Sequence, residues 1–227
     1  MKLSIIIPVY NEESTLEEIV RRICASPVEK EIILVNDGSS DATPVLLKEI
    51  SAIKDCRVLH HETNKGKGAA IMTGLNAVQG DLVLIQDADL EYDPQDYPAL
   101  LRPFEDNHVL VVYGSRILKR NSRSTFSYYW GGRLLSWITN LLYGSSITDE
   151  ATCYKVFRTP LIKNLGLECT GFDFCPEVTG KILRRKIKIH EVPISYNPRL
   201  WNDGKKIHWS DGIRAIWVLI KYRFSRY

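Results

Sequence analysis

Short apolar runs rich in Ile and Val alternate with amphipathic stretches through the first half of the chain. The apolar runs predict strands near residues 3–8, 31–36, 56–60, 81–86 and 109–114. The amphipathic stretches predict helices near residues 12–25, 41–53, 67–78 and 95–104. Strands that alternate with helices are typical of βα units, so this half predicts an α/β fold with a mainly parallel sheet flanked by helices.

The second half has a different pattern. It predicts helices near residues 124–142 and 173–185, a strand near 187–194, a polar loop, and a C-terminal amphipathic helix over 209–224. No linker composition and no internal repeat separates the halves. We therefore predict a single domain over residues 1–227, in which residues 118–227 build onto residues 1–117.

Composition narrows the class of protein. The 227 residues carry a net charge of +3, and the basic residues lack a base-reading motif, so we do not expect nucleic acid as a partner. The five cysteines form no CxxC pair, which favours free thiols in a reduced, cytoplasmic setting. The first apolar run is too short for a signal peptide, and no stretch approaches the roughly 20 apolar residues that span a bilayer. We expect a soluble or peripheral protein.

Three predicted strands end in polar, acidic sequence: "PVYNEE", "VNDGSSDAT" and "QDADLEYD". Because ligands of open parallel sheets bind beyond the carboxyl ends of the strands, these segments are expected to converge on one site. Asp37 is a candidate for hydrogen bonds to a nucleobase or ribose. Gly38 permits a tight turn, and Ser39 and Ser40 are expected to cap the next helix.

The segment "NKGKGAA", residues 64–70, precedes a predicted helix with two glycines and two lysines. Backbone N–H groups at a helix start, with lysine charge nearby, suit a phosphate. The segment is neither a Walker loop nor a dinucleotide fingerprint. A phosphate site and a simple glycine-rich turn therefore both remain open.

Asp87 and Asp89 follow an apolar strand and are separated by one residue, so both side chains point to the same side of an extended segment. Two carboxylates this close repel each other unless a cation lies between them. A hard divalent cation with oxygen ligands meets that need. The pair, with Glu91 two residues further on, predicts a metal site.

These motifs occur together in an order and spacing that identify a family. The sequence resembles the family-2 inverting glycosyltransferases of the GT-A (Rossmann-like) fold, most closely the dolichyl-phosphate mannose synthase and polyprenyl-phosphate glycosyltransferase branch. The resemblance rests on "SIIIPVYNEE", "LVNDGSSDAT", "NKGKGAA", "QDADLEYDP" and "YGSR" over residues 3–117. It extends less tightly through "TDEATCYKVFR", "EVPISY" and "PRLWNDGKKI".

The resemblance implies that residues 1–117 bind a nucleotide sugar and that residues 118–227 bind the acceptor. Asp87, Asp89 and Glu91 would hold Mg²⁺ or Mn²⁺ on the diphosphate, although many relatives carry Gln at the position of Glu91. Lys67 would lie near the base or the phosphates. The nucleoside would be held by Pro8, Tyr10, Glu12 and Asp37.

For the acceptor side, the resemblance places Arg116 near the sugar or the acceptor phosphate, and Arg199 and Lys206 near the phosphates. Asp149 would act as a base or orient the acceptor. A helix cap or a salt bridge is the open alternative for Asp149.

The implied reaction moves a hexose, mannose or glucose, from GDP-mannose or UDP-glucose to a polyprenyl or dolichyl phosphate with inversion. A membrane surface, a second copy of the chain and a membrane-anchored partner are all candidate partners. A soluble or saccharide acceptor is one alternative. A non-catalytic nucleotide-sugar-binding protein is an alternative of another class.

The C-terminal helix places Ile213, Ile216, Trp217 and Ile220 on one stripe, and Arg214, Lys221, Arg223 and Arg226 add positive charge. Such a helix either lies on an anionic membrane at its cytoplasmic face or packs on its own domain. The segment 124–142 offers a second apolar surface with the same two interpretations. Its members are Trp130, Leu134, Trp137, Leu141 and Leu142.

Overall fold

The computed structural model describes residues 1–121, 126–199 and 209–225. Within them, seven strands form one sheet. The strands are β1 (Leu3–Val9), β2 (Lys30–Asp37), β3 (Cys56–His61), β4 (Leu82–Ile85), β5 (Val111–Ser115), β6 (Lys155–Arg158) and β7 (His190–Pro193). Their order across the sheet is β3-β2-β1-β4-β6-β5-β7. The predicted α/β fold with a mainly parallel sheet is confirmed.

One strand departs from the parallel pattern. β1 pairs in parallel with β2 and β4, and β5 with β7, whereas β6 runs antiparallel to both β4 and β5. The sequence analysis did not predict β6, because only Val156 and Phe157 of its four residues are apolar. β7 is also shorter than the predicted span of 187–194.

The strands at the centre of the sheet are buried. Every residue of β1 except Pro8 is buried, and all four residues of β4 are buried. Unbroken apolar runs of this kind are typical of parallel strands covered on both faces. The carboxyl ends of β1 and β4 are thereby fixed in position, and they carry two of the acidic segments.

Eight helices lie within the described residues. They are α1 (Leu16–Ala25), α2 (Thr43–Ile50), α3 (Lys67–Ala77), α4 (Tyr97–Leu101), α5 (Phe126–Tyr143), α6 (Thr159–Lys163), α7 (Phe174–Arg184) and α8 (Trp209–Phe224). The predicted helix 95–104 is divided into α4 and two flanking 3-10 turns, because Pro94, Pro98 and Pro103 have no N–H to donate.

α8 packs against α7 and α5 through one of its faces. Ala215, Val218, Leu219 and Tyr222 are buried there, and the hydroxyl of Tyr143 donates to the Leu219 carbonyl at 2.7 Å. Of the predicted stripe, Ile213, Trp217 and Ile220 are exposed, and Ile216 is partly buried. None of the helices in the described ranges is both long and apolar enough to cross a bilayer.

The two halves of the chain meet where α3 begins. The N–H of Gly68 donates to the Gly171 carbonyl, and the N–H of Ala69 donates to the Thr170 carbonyl, both at 3.1 Å. Gly66 has φ of 97°, and a Cβ at this position would collide with the Thr170 carbonyl. Because these N–H groups already have acceptors, the phosphate interpretation of "NKGKGAA" is corrected to a glycine-rich turn.

Gly66→Ala is expected to lower the free energy of unfolding by about 2–4 kcal/mol, because the added Cβ meets backbone and the positive φ is strained. Urea denaturation measures the loss. The matched control is Gly131→Ala in α5, where a Cβ meets nothing within 4 Å, and which we expect to be neutral or slightly stabilising. Equal stability of the two variants would contradict the packing described for the start of α3.

Candidate active site

The loops that follow β1 and β2 at the carboxyl edge of the sheet are joined by hydrogen bonds. The Asn11 N–H donates to Ser39 Oγ at 3.0 Å, and the Ser40 N–H donates to Asn11 Oδ1 at 2.9 Å. Glu12 joins them, since its N–H donates to Thr43 Oγ1 at 3.0 Å. The first helix therefore starts at Leu16 and not at residue 12, and Ser39 accepts from the neighbouring loop and does not cap α2.

Three of the predicted nucleoside residues lie along this edge. Pro8 is near the end of β1, Tyr10 follows with 37% of its surface exposed, and Glu12 lies beside Arg199. Their contact with a nucleoside stays a prediction.

Asp37 lies behind that edge and is 3% exposed. Its Oδ1 accepts from the Lys65 N–H and its Oδ2 from the Gly66 N–H, both at 2.8 Å. His61 Nδ1 lies 2.7 Å from Oδ1. Asp37 thus holds the turn before α3, and its predicted bond to a nucleobase or ribose is not tested by these contacts.

β4 ends in a hydrogen-bonded glutamine that the sequence analysis did not single out. Gln86 is fully buried, and its Oε1 accepts from the hydroxyls of Tyr97 and Tyr154, each at 2.6 Å. Its Nε2 donates to the Asp87 carbonyl at 2.9 Å. This network fixes the backbone at the start of the segment that carries Asp87, Asp89 and Glu91, which we call the acidic turn. A polar residue closing an apolar run was the available signal.

Asp87 has a cation beside it. Lys67 Nζ lies 2.5 Å from Asp87 Oδ1. Burial acts to lower the pKa of Lys67, but the charge of Asp87 outweighs it and raises that pKa above its usual value. Lys67 is therefore charged and directed at the acidic turn, and its place near the base or the phosphates of a donor stays a prediction.

Asp89 carries the least compensated charge of the turn. Burial, followed by the charges of Asp87 and Glu91, raises the pKa of Asp89 to about 7. Its Oδ1 accepts only the short-range bond from the Glu91 N–H at 3.1 Å among the bonds of the described residues. Leu90 between them has φ of 62°, an uncommon conformation for a branched residue and one that clusters at functional sites.

The predicted metal site with three carboxylates is corrected. No group of three His, Cys, Asp or Glu side chains within the described ranges could hold a metal ion. The reason is that Glu91 turns away: its Oε1 accepts from the Arg199 N–H at 2.8 Å and its Oε2 from the Tyr196 hydroxyl at 3.0 Å. Asp87 and Asp89 remain, and two carboxylates fit a Mg²⁺ or Mn²⁺ ion that completes its shell with water and substrate phosphates.

Arg199 joins the C-terminal segment to both acidic loops. Its Nη2 donates to Glu12 Oε2 at 3.0 Å, and its Nε donates to the Asp89 carbonyl at 2.7 Å. Arg199, which was predicted to lie near the phosphates, therefore contacts the acidic turn. Lys206, the other predicted cation of this loop, lies outside the described residues.

Arg116 and Asp149 form a bidentate ion pair. Arg116 Nε and Nη2 each lie 2.7 Å from an oxygen of Asp149, and the Arg116 N–H donates to Oδ2 at 2.9 Å. Burial acts to raise the pKa of Asp149, but Arg116 outweighs it, so that pKa lies below its usual value. The salt bridge that the sequence analysis kept as the alternative for Asp149 is therefore present.

The pair is held from two sides. The Arg116 guanidinium lies over the ring of Tyr196, 5.0 Å from its centroid. Glu191 accepts from the N–H groups of Thr148, at 2.8 Å, and Asp149, at 3.1 Å, which fixes the loop carrying the carboxylate. Arg116 Nη1 has no acceptor within the described part of the chain. Tyr196 and Glu191 are the two ends of the quoted segment "EVPISY", but the sequence analysis gave neither residue a role.

Two known relatives match most of this chain. The chain is 32% identical over 211 residues to the undecaprenyl-phosphate 4-deoxy-4-formamido-L-arabinose transferase of Proteus mirabilis, and that match covers 90% of this chain and 62% of the relative. The enzyme of the same name from Edwardsiella ictaluri is 30% identical, with 89% and 62% covered. The chain thus spans about 62% of the length of these relatives.

Solved structures share the fold. Glucosyl-3-phosphoglycerate synthase of Mycobacterium tuberculosis superposes with a TM-score of 0.74 at 20% identity, covering 97% of this chain and 79% of that one. Mannosyl-3-phosphoglycerate synthase of Rubrobacter xylanophilus gives a TM-score of 0.75 at 21% identity, covering 98% and 73%. The fold is therefore GT-A, as the resemblance implied.

The sequence model described as "Glycosyl transferase family 2" matches residues 4–166. That stretch contains all three acidic strand ends, Lys67, and the pair of Arg116 and Asp149. The chain belongs to glycosyl transferase family 2.

Proposed function

We propose that the chain transfers a sugar, with inversion, from a nucleotide sugar to a polyprenyl phosphate. The observation that carries this proposal is the fixed guanidinium of Arg116, which Asp149 holds over the ring of Tyr196, whose hydroxyl in turn donates to Glu91. An immobilised, half-buried cation with an open Nη1 suits a phosphate anion. The relatives' names, which specify undecaprenyl phosphate, support the same acceptor class.

On the donor side, Pro8, Tyr10 and Glu12 would hold the nucleoside, with Asp37 fixing the turn behind them. Asp87 and Asp89 would hold Mg²⁺ or Mn²⁺. A cation bound there would supply positive charge to the leaving diphosphate. GDP-mannose and UDP-glucose are the proposed hexose donors. A nucleotide-linked 4-deoxy-4-formamido-arabinose, the sugar in the relatives' names, is the donor to compare with them.

The transfer is a direct displacement. An oxygen of the acceptor phosphate attacks the anomeric carbon while the bond from that carbon to the nucleoside diphosphate breaks. A phosphate monoester has a second pKa near about 6 and is already an anion at neutral pH. It therefore needs positioning and charge neutralisation more than a base. We accordingly assign Asp149 to positioning Arg116.

We place the reaction at the cytoplasmic face of a membrane. The proposed acceptor is a lipid, and all five cysteines are free thiols, as in reducing compartments.

The deciding experiment is a transfer panel. The three donors are combined with a short polyprenyl phosphate, with Mn²⁺ and with EDTA, and the lipid product is measured. We expect one donor to be transferred with Mn²⁺ and not with EDTA. Transfer only to a soluble sugar would replace the acceptor, and donor binding without any product would identify a non-catalytic binding protein.

Asp89→Asn is expected to lower kcat by about 100-fold or more, because the site loses one of two carboxylates for the cation. Donor hydrolysis and transfer both measure it, at several Mn²⁺ concentrations. Asp81→Asn, at the opposite end of β4, where the carboxylate accepts from the Lys2 N–H, is the matched control and should leave kcat unchanged. Full activity of Asp89→Asn would remove the metal assignment.

Arg116→Lys keeps the positive charge but loses the planar fork that binds Asp149 at two points. We expect kcat/KM for the acceptor to fall about 10–100-fold, while the dissociation constant of the donor stays the same. Titration of each substrate separates the two effects. An exposed arginine of α1 provides the control, Arg21→Lys. A loss confined to donor binding would contradict the acceptor role.

Glu91→Gln removes the negative charge that accepts the Tyr196 hydroxyl, and Tyr196→Phe removes that hydroxyl. If Glu91 anchors the C-terminal segment, both variants should raise the acceptor KM by about 3–10-fold, and the double variant should add little. The Mn²⁺ concentration needed for half-maximal activity should not change in either. A Mn²⁺ requirement that rises in Glu91→Gln alone would return Glu91 to the metal.

A further inference from the structure

An aromatic side chain in the loop between α6 and α7 lies beside the acidic turn. Phe172 is 39% exposed, whereas Phe174, two residues further on, is 2% exposed and belongs to the core. The ring centroid of Phe172 lies 5.8 Å from Lys67 Nζ, and the same Nζ forms the ion pair with Asp87. One ammonium group therefore separates this ring from a proposed metal ligand. No step of the proposed transfer involves Phe172.

The backbone on either side of Phe172 is fixed. On one side, two N–H groups at the start of α3 donate to the carbonyls of Thr170 and Gly171, both at 3.1 Å. On the other side, Asp173 accepts the Gly171 N–H at Oδ1 and Arg214 of α8 at Oδ2, both at 2.8 Å. The ring thus projects from a held backbone and has only two side-chain torsions, so ordering it on a ligand costs little conformational entropy.

The chemistry of the surroundings suits a sugar. A sugar ring has hydroxyl groups around its edge and faces that carry C–H groups. An aromatic ring can cover such a face, which removes apolar surface of both partners from water. Ligand pockets commonly combine aromatic walls with a few polar groups that fix orientation. Lys67, Asp87 and Asp89 are polar groups of this kind, and Phe172 provides the aromatic wall.

The position of Phe172 favours the sugar over the nucleoside of a donor. In a nucleotide sugar one oxygen joins the sugar to the diphosphate, so a group that contacts the sugar must lie close to the cation on that diphosphate. Phe172 meets this condition through Lys67 and Asp87. The proposed nucleoside residues Pro8 and Tyr10 lie instead at the end of β1 and directly after it.

We propose that Phe172 stacks on the sugar ring of the bound donor. This inference rests on the proposed function, because it requires a nucleotide sugar whose diphosphate lies at Asp87 and Asp89. Stacking restricts the orientation of the sugar while its bond to the diphosphate breaks, which is a contribution through positioning.

Calorimetric titration of the full chain in Mn²⁺, without acceptor, tests the proposal. Each donor of the transfer panel is compared with its own nucleoside diphosphate, which lacks the sugar. For the donor that the unmodified chain binds most tightly, we expect Phe172→Ala to weaken binding about 5–10-fold, because one stacking contact is lost. The nucleoside diphosphate should bind Phe172→Ala as it binds the unmodified chain.

Two further variants make the comparison specific. Phe172→Tyr keeps the flat ring and should restore donor affinity. Phe224→Ala removes a phenylalanine that is 72% exposed at the end of α8, and as the matched control it should bind both ligands as the unmodified chain does.

A purely structural role for Phe172, in which the ring only supports Lys67, gives a different result. Loss of the ring would then disturb Asp87, so the nucleoside diphosphate would be weakened as much as the donor and more Mn²⁺ would be needed for half-maximal binding. That result would overturn the proposal. Unchanged donor affinity in Phe172→Ala would do the same, and so would equal losses at an unchanged Mn²⁺ requirement, which would place the nucleobase on the ring.

These outcomes leave the proposed function intact, because in each of them the unmodified chain still binds a nucleotide sugar. If the unmodified chain bound neither the donors nor their nucleoside diphosphates, the proposed function would fail and the role of Phe172 with it. The titration requires no turnover, so its result is independent of the transfer assay.

Discussion

The structure depends on how it compensates three carboxylates within one turn. Asp87, Asp89 and Glu91 follow a buried strand, where mutual repulsion and desolvation both oppose their ionisation. The three carboxylates have different partners. Lys67 forms an ion pair with Asp87, whereas Tyr196 and Arg199 donate hydrogen bonds to Glu91. Asp89 has a raised pKa. The start of α3 and the C-terminal segment contact the turn and stabilise its carboxylates with positive charge and hydrogen bonds.

This compensation explains why the site is built from parts far apart in sequence. Ordering a long cationic side chain beside an acid costs conformational entropy, which offsets part of the electrostatic stabilisation. That cost is smaller where the surrounding structure already restricts the side chain. Lys67 is fixed by the close approach of Gly66 and Gly68 to residues 169–171, and Arg199 by its bonds to Glu12 and the Asp89 carbonyl. Arg116 follows the same rule, held between a carboxylate and an aromatic ring. Rigid cations around a rigid acidic turn are the arrangement expected where charge must be stabilised as it develops.

Much of the architecture could be predicted from the sequence, because buried parallel strands leave continuous apolar runs, as in β1 and β4. β6 could not, since four residues with two polar members carry no periodic signal. The acids at the strand ends were recognised, whereas the direction of the Glu91 side chain depends on Tyr196 and Arg199, more than a hundred positions away. The roles of Gln86 and Glu191 were missed because their partners are distant in sequence: Gln86 accepts from the hydroxyls of Tyr97 and Tyr154, and Glu191 accepts from the N–H groups of Thr148 and Asp149. The buried face of α8 was not predicted, because both faces of this helix are apolar and the predicted stripe lies mostly on the exposed one.

The bond between Arg199 and Glu12 bears on the order in which the chain can become functional. The two residues are 187 positions apart, and the bond joins the first loop of the chain to one of its last described segments. Chains emerge from the ribosome with the N-terminal part first, so β1, β2 and β4 are available to pair long before residue 199 exists. The acidic turn is complete before its arginine has been synthesised. Until then Lys67 is the cation beside the turn, and Glu91 at the carboxyl edge of the sheet still lacks the N–H of Arg199.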